Sequence, residues 1–132
     1  MVVMNIEFYN LYQDVTRYQL LTSEAYRLAS RYEIESTWNG IGAAWLPDWL
    51  LTALNSYLRI FKAAALVHDY DYSNSTRNED ARLVADKRFF DNMILILKCY
   101  YAWYHPMYYV RYRDARLAYR AVRMFGEKSF MK

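Results

Sequence analysis

Glycine and proline are scarce in this sequence, and their scarcity favours a chain built from a few long elements. Three glycines and two prolines are spread over 132 residues. Gly and Pro are the residues that most often end a helix or strand, so the sequence marks few places where an element must end. Hydrophobic residues make up 55% of the chain and charged residues 23%, which is typical of a folded globular protein. The length predicts one domain, residues 1–132, able to bury a core without disulfides.

Helical periodicity and capping signals cover most of the chain. We predict a short helix at residues 5–15 and a longer one from Asp48 to about Asp69, where apolar residues recur at helical spacing. Asn78 is a predicted N-cap for a helix that ends near Lys98. Pro106 is predicted to open the last helix and Gly126 to end it.

The segment before residue 40 is ambiguous between strand and helix. The sequence YEIES, residues 32–36, alternates in the manner of a half-buried strand, whereas residues 17–30 fit either element. The predicted fold class is therefore mainly α, with α+β as the alternative. It has three or four packed helices and a small antiparallel strand pair near the N-terminus. Residues 1–39 form the N-terminal strand and helix region, residues 40–126 the helical core that carries the motifs, and residues 127–132 a tail.

A histidine and an aspartate lie on apolar faces of successive predicted helices. His68 lies in AAALVHDYDYSN, residues 63–74, and Asp86 lies in RLVADKRFFDNM, residues 82–93. A buried carboxylate without a partner is costly, so we predict that Asp86 pairs with His68. Such a pair is either a dyad that lets His68 act as a general base or a tie between two helices, and the spacing leaves both interpretations open.

A cation site is a further hypothesis for the same region. Asp69 lies about 100° around the helix from His68, so it cannot orient that histidine. Asp69 either faces solvent or binds a hard cation such as calcium, together with backbone carbonyls of the loop WNGIGAA, residues 38–44.

Arginines form a stripe on the last predicted helix, interleaved with tyrosines. The stripe is made up of Arg113, Arg116, Arg120 and Arg123. Arginine beside aromatic residues is typical of surfaces that bind anionic partners. The alternatives are a solvated face, salt bridges to acids such as Glu79 and Asp80, or an assembly interface. The 15 tyrosines of the chain also favour contacts between subunits or with a partner.

The sequence predicts neither a signal peptide nor a transmembrane segment. The N-terminus MVVMNIEFYN has no basic segment followed by a long apolar one, and the longest apolar runs are too short to span a bilayer. Cys99 is the single cysteine, so no intrachain disulfide can form. The net charge of +3 is too small to indicate a class of partner.

Three motifs carry a resemblance to a known family. LPDWLLTALNSYLRIFKAAALVHDYDY, ADKRFFDNM and LAYRAVRMFG occur in this order over roughly residues 40–126. They resemble an uncharacterised family of small phage and prophage proteins with a His-Asp-Tyr-x-Tyr helix. The resemblance implies a viral origin. Together with the tyrosines, the arginines and the His–Asp pair, it leads us to predict a virion-associated structural or accessory protein at a neck, tail or capsid site. It would be located in the virion or the bacterial host cytoplasm and would contact other virion proteins or copies of itself as an oligomer. GIGAAWLP departs from the family's Thr-Asp-x-Ala-Ser-x-Pro loop.

A more distant resemblance concerns chemistry. His-Asp-x-x-Tyr followed by a downstream Asp is similar to the pattern of secreted and parvoviral phospholipases A2. This implies an alternative function, a calcium-dependent ester hydrolase in which His68 is the general base, Asp86 anchors it and Tyr72 orients the dyad. The implied calcium ligands are Asp69 and the carbonyls of Trp38, Gly40 and Gly42. An anionic phospholipid surface is then a partner, favoured over nucleic acid. The glycine loop lies further from the histidine than in that family, and the family's cysteines are absent.

Overall fold

The structure is a computed structural model that describes residues 5–38, 48, 52 and 59–130. Within these residues every regular element is helical, and a single 3₁₀ turn, Arg59–Phe61, leads into the fourth helix. The helices are α1 (Ile6–Arg17), α2 (Glu24–Leu28), α3 (Arg31–Thr37), α4 (Lys62–Asn74), α5 (Glu79–Tyr100), α6 (Pro106–Phe125) and α7 (Glu127–Phe130).

The predicted strand pair near the N-terminus is wrong, because the described residues of this region form short helices. Ser30 caps α3 by accepting a hydrogen bond from the Glu33 N–H at 3.2 Å, and Ser23 caps α2 in the same way. The alternating pattern of residues 32–36 led to the wrong prediction, because a helix as short as α3 also buries a single side chain and leaves its neighbours more exposed. Ile34 is fully buried, but Tyr32, which a strand would place on the same face, is 57% exposed.

The predicted helix boundaries at Asn78, Pro106 and Gly126 are confirmed. Asn78 caps α5 by accepting a hydrogen bond from the Ala81 N–H at 2.8 Å, and α6 begins at Pro106 and is capped by Gly126. The predicted end near Asp69 is wrong, because α4 ends at Asn74, and the 3₁₀ turn Arg59–Phe61 lies within the range of this predicted helix. Much of the first half of the predicted helix lies outside the described residues.

Helix α4 is the central element of the fold. It packs against α1, α2, α3 and α5, and α5 in turn packs against α6. Neighbours on so many sides explain why α4 is apolar over most of its circumference, with buried alanines at positions 63–65 that let the other helices approach closely. The same packing buries His68, which places a polar group inside the core.

A buried asparagine holds the connection between α1 and α2 against α5. The Asn92 side chain accepts a hydrogen bond from the Leu21 N–H at 2.7 Å and donates one to the Leu21 carbonyl at 2.9 Å. Asn92 is fully buried. Its amide supplies hydrogen-bond partners for the N–H and the carbonyl of Leu21, which lies outside the helices.

None of the helices in the described part of the chain combines the length and the apolar composition needed to cross a membrane.

Candidate functional site

The predicted contact between His68 and Asp86 is present at the interface of α4 and α5. Nε2 of His68 lies 2.8 Å from Oδ1 of Asp86. Asp86 is fully buried and His68 is 7% exposed. Because an ionised carboxylate can only accept, Nε2 is the protonated nitrogen, and Nδ1 of the neutral ring is left as an acceptor.

Tyr72, one turn after His68 on α4, joins the pair. Its hydroxyl donates to the same Oδ1 of Asp86 at 2.6 Å. The His68 ring lies between aromatic neighbours, with centroid distances of 4.2 Å to Tyr72 and 4.6 Å to Phe89. The imidazole is therefore held by one hydrogen bond and by ring contacts.

Two arginines bind the other carboxylate oxygen and connect the pair to α6. Nη1 of Arg123 donates to Oδ2 of Asp86 at 2.7 Å, and Nη1 of Arg82 lies 3.5 Å from that oxygen. Both guanidinium groups also bind Glu79 at the start of α5. Arg82 further donates to the carbonyls of Val122 and Arg123 at the end of α6. We call this cluster the Asp86 network, and its side chains are His68, Tyr72, Glu79, Arg82, Asp86 and Arg123.

The network favours an ionised carboxylate at its centre. Burial alone would raise the pKa of Asp86, but the hydrogen bonds from His68, Tyr72 and Arg123 hold it below its ordinary value. Burial and the charge of Asp86 raise the pKa of Tyr72, so its hydroxyl remains a donor. The two carboxylates of the network balance the charges of its two guanidinium groups.

A second buried acid lies three residues after His68 on the same helix. Asp71 is 2% exposed and accepts from Nη1 of Arg88 on α5 at 2.8 Å. Burial raises the pKa of Asp71, and the charge of Arg88 opposes that rise. Sequence reasoning missed this pair, although Asp71 lies at helical spacing from His68 on the same buried side of α4.

The residues predicted to bind calcium are only partly described. Asp69 is half-buried beside His68, and Trp38 follows α3 and packs against the core. Gly40 and Gly42 lie outside the described residues. The described part of the chain contains no group of three or more His, Cys, Asp or Glu side chains placed to hold a metal. A site built mainly from backbone carbonyls therefore stays a prediction.

The arginine stripe divides into two groups. Arg113, Arg116 and Arg120 are exposed, whereas Arg123 turns inward and binds Asp86 and Glu79. The salt bridge to Glu79 is one of the alternatives expected from the sequence.

Sequence reasoning did not find Arg82 as a member of the site. A signal was present, because Arg82 precedes Asp86 by four residues and follows Glu79 by three, which are the spacings of neighbouring side chains on one helix face. No such local signal points to Arg123, which follows Asp86 by 37 residues.

Aromatic side chains are exposed where α5 turns into α6. The exposed fractions are 49% for Tyr100, 74% for Trp103, 71% for Tyr104 and 58% for Tyr109. We call these four side chains the aromatic turn surface. The ring centroids of Trp103 and Tyr104 lie 5.6 Å apart, and exposed apolar side chains in contact are typical of interaction surfaces.

No family model, curated protein or solved structure matches this chain.

Proposed function

We propose that this chain is a phage virion-associated structural or accessory protein, with the Asp86 network as a tie between three helices. One observation carries the structural part of the proposal. Asp86 is fully buried, and side chains from α4, α5 and α6 bind its two oxygens. The phage origin rests on the three sequence motifs and their order.

The donors around Asp86 support a tie. A buried charge is costly unless it is paired and hydrogen-bonded, and here a histidine, a tyrosine and an arginine donate to it at 2.6–2.8 Å. Networks of this kind rigidify a core and favour one arrangement of helices. A rigid helical frame suits a protein that presents a fixed surface to an assembly.

The composition of the aromatic turn surface favours binding of a partner protein. Tyr and Trp are enriched in protein interfaces because they combine apolar area with a polar atom. Residues 98–113 contain Lys98, Arg111 and Arg113 and no carboxylate. Arg111 is paired with Asp114, so Lys98 and Arg113 give this segment an excess of two positive charges. Like charges disfavour two such surfaces facing each other, so the occupant we propose is a different virion protein with an acidic rim.

The double substitution Trp103→Ala/Tyr104→Ala tests this surface. We expect the amount of protein in purified phage particles, measured by quantitative mass spectrometry, to fall about tenfold or more, since central aromatic residues dominate interface energies. The melting temperature should stay unchanged because both side chains are exposed.

Leu28→Ala/Tyr32→Ala is the matched control, since it also removes two exposed apolar side chains. We expect it to leave incorporation intact. Absence of the wild-type protein from particles would contradict the proposal. If the wild type and the control variant sediment as a dimer but the Trp103→Ala/Tyr104→Ala variant does not, the occupant of this surface is a second copy of the chain.

A second candidate function, a calcium-dependent ester hydrolase of phospholipase A2 type, is favoured by one feature of the dyad. Asp86, which also accepts from the Tyr72 hydroxyl, binds Nε2 of His68, so Nδ1 is the nitrogen able to take a proton from water. Asp69 lies beside His68 and would contribute to a calcium site with the carbonyls of Trp38, Gly40 and Gly42. The substrate would be an ester in an anionic phospholipid surface.

Calcium and two substitutions test the hydrolase. If it is correct, calcium raises the melting temperature by binding the folded state, and fatty acid is released from phosphatidylglycerol vesicles. His68→Ala should then lower the rate about 10²–10⁴-fold. Asp69→Asn should abolish the calcium dependence, and a calcium-free melting curve verifies that this variant is folded. An unmoved melting temperature together with uncleaved vesicles would eliminate this candidate.

A further inference from the structure

A cavity of about 330 Å³ lies between α5 and α6, separate from the Asp86 network. Helix α5 lines it with Lys87, Phe90 and Asp91, and α6 lines it with Arg116, Tyr119 and Arg120. Its volume lies at the small end of the range of about 300–1,000 Å³ for ligand sites. We call this cavity the basic groove.

The positively charged side chains of the basic groove are accessible to a ligand. Lys87, Arg116 and Arg120 are exposed and form no salt bridge within the described residues. By contrast, the inward-facing Arg82 and Arg123 both bind carboxylates. Of the six residues that line the groove, Asp91 is the one acid. The groove therefore has an excess of two positive charges, and it attracts anions.

Two aromatic rings add a second recognition element. Phe90 and Tyr119 are half-buried, and their ring centroids are 5.6 Å apart. Both rings line the cavity, and an aromatic side chain there can stack with any nucleobase. Arginine and lysine provide the matching contacts to phosphate oxygens.

We propose that the basic groove binds a nucleoside phosphate. The phosphate contacts Arg116, Arg120 and Lys87, and the base packs against Tyr119 and Phe90. Charge alone would also suit a phospholipid surface, but a cavity with aromatic walls fits a planar base better than a flat layer of headgroups. A free nucleotide and a single-stranded nucleic acid both present this chemistry. The inference does not depend on the proposed virion role.

The double substitution Arg116→Gln/Arg120→Gln tests the phosphate contacts. The probes are thymidine 5′-monophosphate, followed by calorimetry, and a fluorescent oligothymidylate of about ten nucleotides, followed by anisotropy, both at about 50 mM salt. We expect the variant to lose about tenfold or more in affinity for the bound probe. Arg27→Gln/Arg59→Gln removes two exposed charges elsewhere and should lose less than about twofold.

Two single substitutions test the base contact and the local charge. Tyr119→Leu should weaken binding about fivefold or more, because stacking on an aromatic ring is lost, and a melting curve verifies that this variant is folded. Asp91→Asn should strengthen binding about twofold or more, because a negative charge leaves the groove.

Each outcome supports or overturns the proposal. Binding of both probes assigns the groove to a free nucleotide, and binding of the oligonucleotide alone assigns it to a single strand. The proposal is overturned if neither probe binds, or if the Arg27→Gln/Arg59→Gln control weakens binding as much as the groove variant. It is also overturned if inorganic phosphate competes as well as the nucleotide and Tyr119→Leu has no effect.

Discussion

Replacing Asp86 with asparagine is expected to lower the free energy of unfolding by about 3–5 kcal/mol, the usual cost of removing one partner from a buried charged cluster. Asparagine keeps the shape of the side chain but loses the charge that Arg123 binds at 2.7 Å. It also presents an N–H group toward donors that need an acceptor. For a chain of this size the melting temperature should fall by roughly 10–20 °C, and denaturant unfolding followed by circular dichroism measures both quantities.

Asp91→Asn is the matched control for this substitution. Asp91 lies on the same helix, is exposed and forms no salt bridge within the described residues. Its replacement should therefore change the free energy of unfolding by no more than about 0.5 kcal/mol. If Asp86→Asn costs less than about 1 kcal/mol, the network is not the tie that we propose.

The pH dependence of the same comparison isolates the carboxylate. The folded protein lowers the pKa of Asp86, so its stabilising contribution is complete above the ordinary value of about 3.9. That contribution is lost as the pH falls through the lower pKa of the folded state. The difference in unfolding free energy between wild type and Asp86→Asn should thus be constant from neutral pH down to about 5 and shrink below about 4. A constant difference through acid pH would contradict this assignment.

Replacing Gly126 with alanine is the second substitution with a large expected effect. An added Cβ would lie 2.5 Å from the carbonyl oxygen of Val122 and 2.6 Å from the hydroxyl of Tyr72. The first contact is with backbone, which cannot move without shifting the end of α6. The second displaces the group that donates to Asp86. We expect a loss of about 1–3 kcal/mol, as for other overpacked sites, measured by denaturant unfolding.

Tyr72→Phe separates the two contacts made by the added methyl group. This variant loses the hydrogen bond to Asp86, at a cost of about 1.5–3 kcal/mol for a bond to a charged group, but it also removes the atom that clashes at position 126. In the double variant the cost of Gly126→Ala should therefore be smaller than in the wild-type background, by about 0.5 kcal/mol or more. Additive costs would show that the added methyl group does not act through Tyr72.

The core of the candidate site was predictable because its strongest signal is local. His68 and Tyr72 share a helix face, and a carboxylate at position 86 on an apolar face requires a partner. The arginines were not predictable to the same degree. Arg82 has the right spacing on α5, but Arg113, Arg116, Arg120 and Arg123 repeat with the same helical period. Periodicity cannot say which of them turns inward, because the four form one stripe.

The fold was also predictable from the sequence only in part. The helix ends at Asn78, Pro106 and Gly126 depend on side chains and backbone within a few residues, so the sequence alone determined them. Whether residues 32–36 form a strand or a helix depends on what covers Ile34, and a five-residue pattern is too short to decide this. Three partners of Asp86, namely Tyr72, His68 and Arg123, lie 14, 18 and 37 residues away. Only the packing of α4, α5 and α6 brings those side chains together, since contact between distant residues depends on how helices pack and not on the spacing within any one of them.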